Sequence, residues 1–454
     1  MSWTLRSCVR ILLSGLIVIS TLAIPVRGKS NKKVVTLWHT ETENQSLQAM
    51  EDIIRDFEKI HPDIQVEQVG IPWDTLESKL LVALGSNNLP DAFHGQPITC
   101  ASFYARGLLR PLDDVVASIG EDNIWEAIKR IGYLDGHYYG IAHAAGTSLL
   151  IHRKDLFQQK GLTPPETWEE FLKVAEALTE DLDGDGRIDR YGLGLPGTSF
   201  FITGVFDELL RSNDGRLFDP EGRPTLTEKP VLELLEFYQR LVPYLPPDWV
   251  RYSYPDTFAA LASGRVAMIY AGYGRGVGYI ERLAPKEMAD PEHFGVLHKP
   301  RGPSGTRPMP LIDAELWMIF KGASHLEEAA EFLKFFYRDE NYLKYIQSVP
   351  IHFFPITKSL RERLAYKENP VIKKWHEWLD VQEIYFKNDL ARPLLVKDWD
   401  DLKRPFLLEV LDSNIISELV LDVTVRGRTP KEAAAKAQTS FERLLPPGRY
   451  RKSK

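Results

Sequence analysis

The sequence predicts an α/β protein built as two domains, and three observations carry that expectation. Residues 34–39 (VVTLWH) form a continuous apolar strand, residues 45–60 place Leu47, Met50, Ile53, Ile54 and Phe57 at helical spacing, and residues 64–69 read as a strand again. Such a βαβ unit calls for a parallel sheet with a right-handed crossover. The second observation is size: about 420 residues beyond an apolar leader are more than one hydrophobic core holds, which suggests two. The third is the stretch 136–178. Small residues at Ala142, Ala144, Ala145 and Gly146 separate two short strands, which suits a backbone that must bend. Thr167 then stands as N-cap with Glu170 three residues on, a capping box that predicts a helix from Trp168 to about Leu178.

Arg6 and Arg10 precede an apolar run over residues 11–26, an n-region and h-region that predict a signal peptide over residues 1–28. An uncleaved anchor is the alternative, but the run is shorter than the about 20 residues a span needs. No cysteine follows the h-region, Cys8 leaves with it, and so lipoprotein attachment is not indicated and a periplasmic destination is expected. Removing 1–28 takes three arginines and no acid, moving the formal charge from −7 to −10. That balance disfavours nucleic acid as a partner. Cys100 is then alone and makes no internal disulfide, so an exported chain must be held by its core. No later stretch is long enough to span a membrane, and there is no internal repeat.

Several pieces recur in a telling order: FEKIHPDIQVE at 57–67, LPD before a strand at 89–91, GLLRPLDD at 107–114 and IHRKDLFQQKGLTPPETWEEF at 151–171. FAALASGRVAMIYAGYGRG at 258–276, VPIHFFPITKSL at 349–360 and TVRGRTPKEAAAKAQTSFERLL at 424–445 continue it. Together they resemble the family 1 extracellular solute-binding proteins of ABC importers, the maltose-binding-protein-like group, over residues 34–445. The resemblance implies a two-lobed periplasmic-binding-protein fold (type II), each lobe a mostly parallel sheet flanked by helices. It implies three hinge crossings, near residues 142–147, 269–272 and 312–317, and hence one lobe from 29–143 plus 271–315 and a second from 144–270 plus 316–454. Its functional content is a monomer that captures a carbohydrate between the lobes, closes by hinge bending and delivers it to an ABC permease with a cytoplasmic ATPase.

A sugar offers C–H faces and a rim of hydroxyls, so its site wants aromatic plates and planar polar groups. The loop 40–44 sits at the carboxyl end of the first strand, where open α/β sheets bind ligands. Trp38, Trp73 and Trp399 occur at strand ends or in polar loops and are the stacking candidates; Glu41, Gln96, Thr99, Ser199 and Asp313 are the polar ones. His39 is a hydrogen-bonding candidate at the end of its strand, and Phe200 lies in the loop 196–201. The family commonly carries a Trp after the 266–270 strand; here that position is Gly274 with Tyr273 beside it, which leaves Tyr273 as the candidate.

Asp181, Asp183, Asp185 and Asp189 with Gly186 match the first nine positions of a calcium loop, but the twelfth is Gly192 where a bidentate Glu is expected. The loop reads either as a structural calcium site or as a solvated turn, and no other cofactor is required. The chain has no G-x-S-x-G, no H-E-x-x-H and no C-x-x-C. A binding protein is therefore the expectation and not an enzyme; an exported glycoside hydrolase is the runner-up and an adhesion module the third class.

Overall fold

The computed structural model describes residues 32–445, and the expected signal peptide lies outside the described residues. The strands, in chain order, are β1 (Lys33–His39), β2 (Ile64–Gly70), β3 (Ala92–Gly95), the hairpin β4 (Tyr133–Leu134) and β5 (His137–Tyr138), β6 (Ile141–Ala142), β7 (Gly146–Thr147) and β8 (Leu149–Arg153). After a largely helical stretch come β9 (Met268–Gly272), β10 (Phe294–Leu297), β11 (Ile312–Asp313) and β12 (Leu316–Ile319).

The first lobe is a five-stranded sheet in the order β2-β1-β3-β12-β6. The βαβ unit read from the sequence is its seed: β1 pairs parallel with β2 from Lys33↔Ile64 to His39↔Gly70 and with β3 at Leu37↔Ala92. Helix Asn44–Ile60 makes the crossover and buries Met50, Ile53, Ile54 and Phe57, the apolar stripe that its spacing predicts. The second lobe is a three-stranded sheet in the order β10-β8-β9, with single parallel bridges Tyr191↔Val266 and Gly194↔Ile269 beside it. Thr167 caps helix Trp168–Ala177 with both reciprocal bonds of the capping box in place, Glu170 N to Thr167 Oγ1 at 3.3 Å and Thr167 N to Glu170 Oε2 at 3.1 Å.

Strand pairing corrects the expected division of the chain. Residues 271–315 were expected to return to the first lobe, yet β9 and β10 both pair antiparallel with β8 and so stay in the second. Residues 316 onward were expected in the second lobe, yet β12 inserts between β3 and β6 in the first. The segment 269–272 is therefore an interior strand and not a crossing. The sheets are also less parallel than expected: β1, β2 and β3 run together, but β12 and β6 are antiparallel neighbours, because these strands belong to chain passing to or from the other lobe.

The crossings lie side by side. Residues 142–149 leave the first sheet, and β11, just before β12, brings the chain back; the two pair antiparallel as Ile312↔Thr147 and Asp313↔Gly146. A third connection passes the same place, where the backbones of Phe354 and Ala145 pair. Helix His376–Lys387 buttresses it: Gln382 accepts a hydrogen bond from Thr147 N at 2.9 Å and donates to Trp378 O at 3.2 Å. Beneath the hinge, the buried Lys299 ammonium is paired with Glu208 and donates to Ser148 Oγ at 2.8 Å, while Leu311 N donates to Glu208 at 2.6 Å. Both hinge strands are thus tied through one buried ion pair to helix Ser199–Ser212.

Candidate functional site

A cavity of about 470 Å³ lies between the lobes, at the carboxyl ends of the sheet strands. The loop after β1 contributes Thr40, Glu41, Thr42 and Glu43, and the turn after β3 contributes Gln96 and Pro97. The second lobe answers with Thr198, Phe200, Phe201, Ser253, Tyr254, Tyr273, Arg275 and Tyr279. Leu311, Ile312, Asp313 and Glu315 of the second crossing and His352 of the third form the floor. Helices begin here because the strands end here. Glu43, Gln96, Thr198, Ser253 and Arg275 are each the N-cap of a helix, and each lines the cavity. Ser253 shows the local cause, a capping box with Asp256 that starts helix Tyr254–Ala262 at the cavity wall.

The second lobe presents an aromatic wall. Phe201 and Tyr254 stack at 5.1 Å with an interplanar angle of 7°, and Tyr273 lies 5.8 Å from Tyr254 and 6.4 Å from Phe201. Among the described residues, Tyr254 Oη and His352 Nδ1 have no hydrogen-bond partner. Opposite the wall, one cation joins the lobes. Arg275 Nη2 donates to both Glu41 oxygens at 3.0 and 2.8 Å, and Nη1 sits 3.1 Å from Glu43. Burial pulls the Arg275 guanidinium down, but Glu41 and Glu43 more than offset it and hold it charged. Burial, with Glu315 nearby, pushes the Asp313 carboxyl up to about 7. Burial holds His352 well below its ordinary value, and Arg275 adds to that.

Of the residues expected at the site, Glu41, Gln96, Phe200, Tyr273 and Asp313 line this cavity. Trp38 does not. Side chains alternate along β1, and Trp38 falls on the face toward helix Trp73–Ser86, half-buried in a shallow groove with Ser78, Lys79, Val82 and Ala83. His39 is fully buried one layer below the loop, with Nε2 3.1 Å from Gln68 Oε1, and burial lowers it to about 4. It is the first of a row of imidazoles: His39 and His94 lie 5.9 Å apart, His94 and His143 stack at 4.2 Å, and Thr40 N donates to His94 Nδ1 at 3.2 Å. That row supports the binding loop from behind. Thr99 is buried and donates to Glu77 at 3.3 Å, and Ser199 is engaged by Asn414 and Ser417. Trp399 is clamped between Arg130 and Arg392, whose guanidinium carbons lie 4.9 and 4.6 Å from its ring. The side chain of Trp73 lies outside what the structure describes.

Reasoning from residue types passed over Arg275, Glu43, Thr198, Phe201, Tyr254, Tyr279, Glu315 and His352. Gly274 also gains a reason. A Cβ there would lie 2.4 Å from Ile351 O, so the backbone of this turn packs too closely on the third crossing for any side chain.

No residue of the Asp-rich loop lines the cavity. Asp181, Asp183 and Asp189 bring carboxylate oxygens within 4.8 Å of one another, and Asp185 is outside that group. Asp181 also accepts backbone N–H bonds from Gly184 at 2.7 Å and Gly186 at 2.8 Å. The all-oxygen set suits a hard cation such as calcium, although three side chains fall short of the 6–8 ligands calcium takes.

Two lobes joined by three adjacent connections, closing polar and aromatic groups around one cavity, define a hinged solute-binding architecture. The chain belongs to the family of bacterial extracellular solute-binding proteins, whose family model matches residues 41–342. Among its relatives is a putative ABC transporter periplasmic-binding protein, YcjN, of Escherichia coli K12, 24% identical over 443 residues that cover 96% of this chain and 98% of the relative. The fold is similar to that of an ABC transporter solute-binding protein from Agrobacterium radiobacter K84 solved in complex with ribitol, with TM-score 0.73, 21% identity and coverage of 90% of this chain and 98% of that one. It is also similar to the GacH receptor of Streptomyces glaucescens, solved unliganded and with acarbose, with TM-score 0.71, 20% identity and coverage of 91% and 98%. Among the described residues no helix is long and apolar enough to cross a membrane.

Proposed function

We propose that this protein is the periplasmic, monomeric capture subunit of an ABC importer: it takes a carbohydrate between its lobes, closes, and presents the closed form to the permease without turning the ligand over. The observation that carries this reading is the interlobe cavity of about 470 Å³, large enough for a small saccharide, with aromatic plates on one side and hydroxyl-seeking groups on the other. Tyr254 Oη and His352 Nδ1, without a hydrogen bond among the described residues, are the kind of groups a sugar hydroxyl satisfies. Sequence relatives are named for binding solutes, maltotriose in Pyrococcus abyssi and mannitol in Pseudomonas aeruginosa among them. The Asp-rich loop belongs to this reading only as a brace. Calcium held there would add stability, roughly 2.7 kcal/mol at a hundredfold excess over its dissociation constant, and a melting temperature indifferent to chelator would reduce the loop to a turn.

The test is calorimetry and thermal shift of the mature protein against sugars, polyols and short oligosaccharides, with product analysis of each mixture. Saturable binding with intact ligand is expected. Hydrolysed product would move the protein to the glycoside hydrolases, and failure of the whole panel to bind would remove carbohydrate as the solute.

A further inference from the structure

Building on the carbohydrate reading, we propose that the captured solute carries a basic nitrogen: it is an amino sugar or amino polyol whose ammonium group sits at Asp313, against the Tyr254 and Tyr273 wall.

The charges around the cavity do not cancel, and the excess has a definite place. Glu41 and Glu43 are matched by Arg275, which spends its guanidinium on them. Asp313, whose carboxyl burial and Glu315 push up to about 7, has no such partner among the described residues: Arg275 favours its ionised form without pairing with it, and a bound cation would draw that form out. Its carboxylate receives no hydrogen bond among the described residues, and the basic atom paired with it, His352 Nδ1, is 3.7 Å away, beyond hydrogen-bond reach. Burial keeps that imidazole neutral, so it supplies no charge either. Two residues on, Glu315 adds a second acid to the cavity floor, its carboxylate hydrogen-bonded among the described residues to His143 Nε2 at 3.4 Å. Asp313 nevertheless keeps 29% of its side-chain surface and lines the cavity, so what enters the cavity can reach it.

A sugar hydroxyl could donate one neutral hydrogen bond to such a group. An ammonium donates up to three and brings the missing charge, and charge-assisted bonds are about twice as strong as neutral ones. The wall favours the same chemistry. Aromatic faces attract a cation, and Tyr254, Tyr273 and Asp313 line the same cavity. A carboxylate without a donor and electron-rich rings therefore share one cavity.

Matched pairs separate this proposal from the reading beneath it. Calorimetry at neutral pH would compare a hexitol with its 1-amino-1-deoxy counterpart, glucose with glucosamine, and a short glucose oligomer with a glucosamine oligomer. The amine member of at least one pair is expected to bind about tenfold tighter or better. That preference should weaken as salt is added and fall toward parity in Asp313→Asn, with the melting temperature confirming that the variant is folded. Glu315→Gln should weaken the preference less. Neutral members binding as tightly as their amines, or an undiminished preference in Asp313→Asn, would overturn the proposal while leaving a carbohydrate-binding protein. Binding by no member of any pair would overturn both.

Discussion

Arg275 offers the sharpest test of how the lobes close. It reaches from the second lobe to two acids on the first, and Glu41 keeps only 4% of its side-chain surface while Arg275 keeps 22%. Replacing Arg275 by Met preserves the apolar stem and removes the charge. Removing one partner of a buried ion pair costs about 3 to 5 kcal/mol, because the other charge is left desolvated. Glu43 is 46% exposed and Arg275 is not fully enclosed, so solvent screening brings the figure down to about 2 to 3 kcal/mol. The penalty need not fall on the fold, because opening the cleft lets Glu41 and Glu43 rehydrate. It falls on closure, and the open-to-closed ratio of the ligand-free protein should rise by roughly 30- to 150-fold. Spin labels at Lys59→Cys and Lys229→Cys, on exposed helical positions of the two lobes, would read the interlobe distance distribution. Arg275→Met should shift it to longer distances with little change in melting temperature. An unchanged distribution beside a clearly lowered melting temperature would refute the reasoning and make the pair part of the fold.

Trp38→Ala should leave ligand affinity within a few-fold and cost about 2 kcal/mol of stability, since the ring is half-buried on helix Trp73–Ser86; denaturant melts with calorimetry check it, and a large affinity loss at unchanged stability would put the ring back in the cleft. Lys299→Met leaves Glu208 buried without its cation and should cost about 3 kcal/mol, whereas the double variant Lys299→Met with Glu208→Met should recover most of it. Glu77 gives a pH signature. Burial, with Asp412 adding to it, pushes its carboxyl from 4.5 up to about 7, so the folded protein holds a proton there that the unfolded chain has lost. Stability from this group therefore falls as pH rises from about 4.5 to about 7 and is level above that. Glu77→Gln should melt like wild type below the window and higher than wild type above it, and equal melting curves throughout would show that the site is not strained.

Local chemistry made much of the fold legible. Thr167 and Glu170 announced a helix start because a capping box is satisfied within four residues, and the 3.6 period of Met50, Ile53 and Phe57 needs no knowledge of the partner sheet. The lobe assignment was not local. An apolar strand such as Met268–Gly272 reads the same whichever sheet receives it; its place is decided by β8, more than a hundred residues earlier, and the turn after it by the close approach of Gly274 to the third crossing. A family resemblance supplied the number of crossings but not their register in this chain.

The site was legible where reasoning followed backbone direction and illegible where it followed residue type. Trp38 looked like a stacking plate because it is aromatic and near a strand end, but a side chain within a strand points across the sheet and cannot reach the mouth beyond its end. Helix N-termini do reach it, and the cap positions Glu43, Gln96, Thr198, Ser253 and Arg275 are where both lobes contribute polar groups. Of these, Ser253 with Asp256 was readable as a capping box in the same way as Thr167 with Glu170. Arg275 was not, because its importance comes from Glu41 and Glu43 on the other lobe, and a charge balance across a cleft exists only once the cleft is closed. The same holds for Asp313. As a residue type it is an ordinary sugar contact, and only the pairing of Arg275 with Glu41 and Glu43 leaves it the cavity acid without an ion-pair partner, which is why the proposed amine preference turns on it.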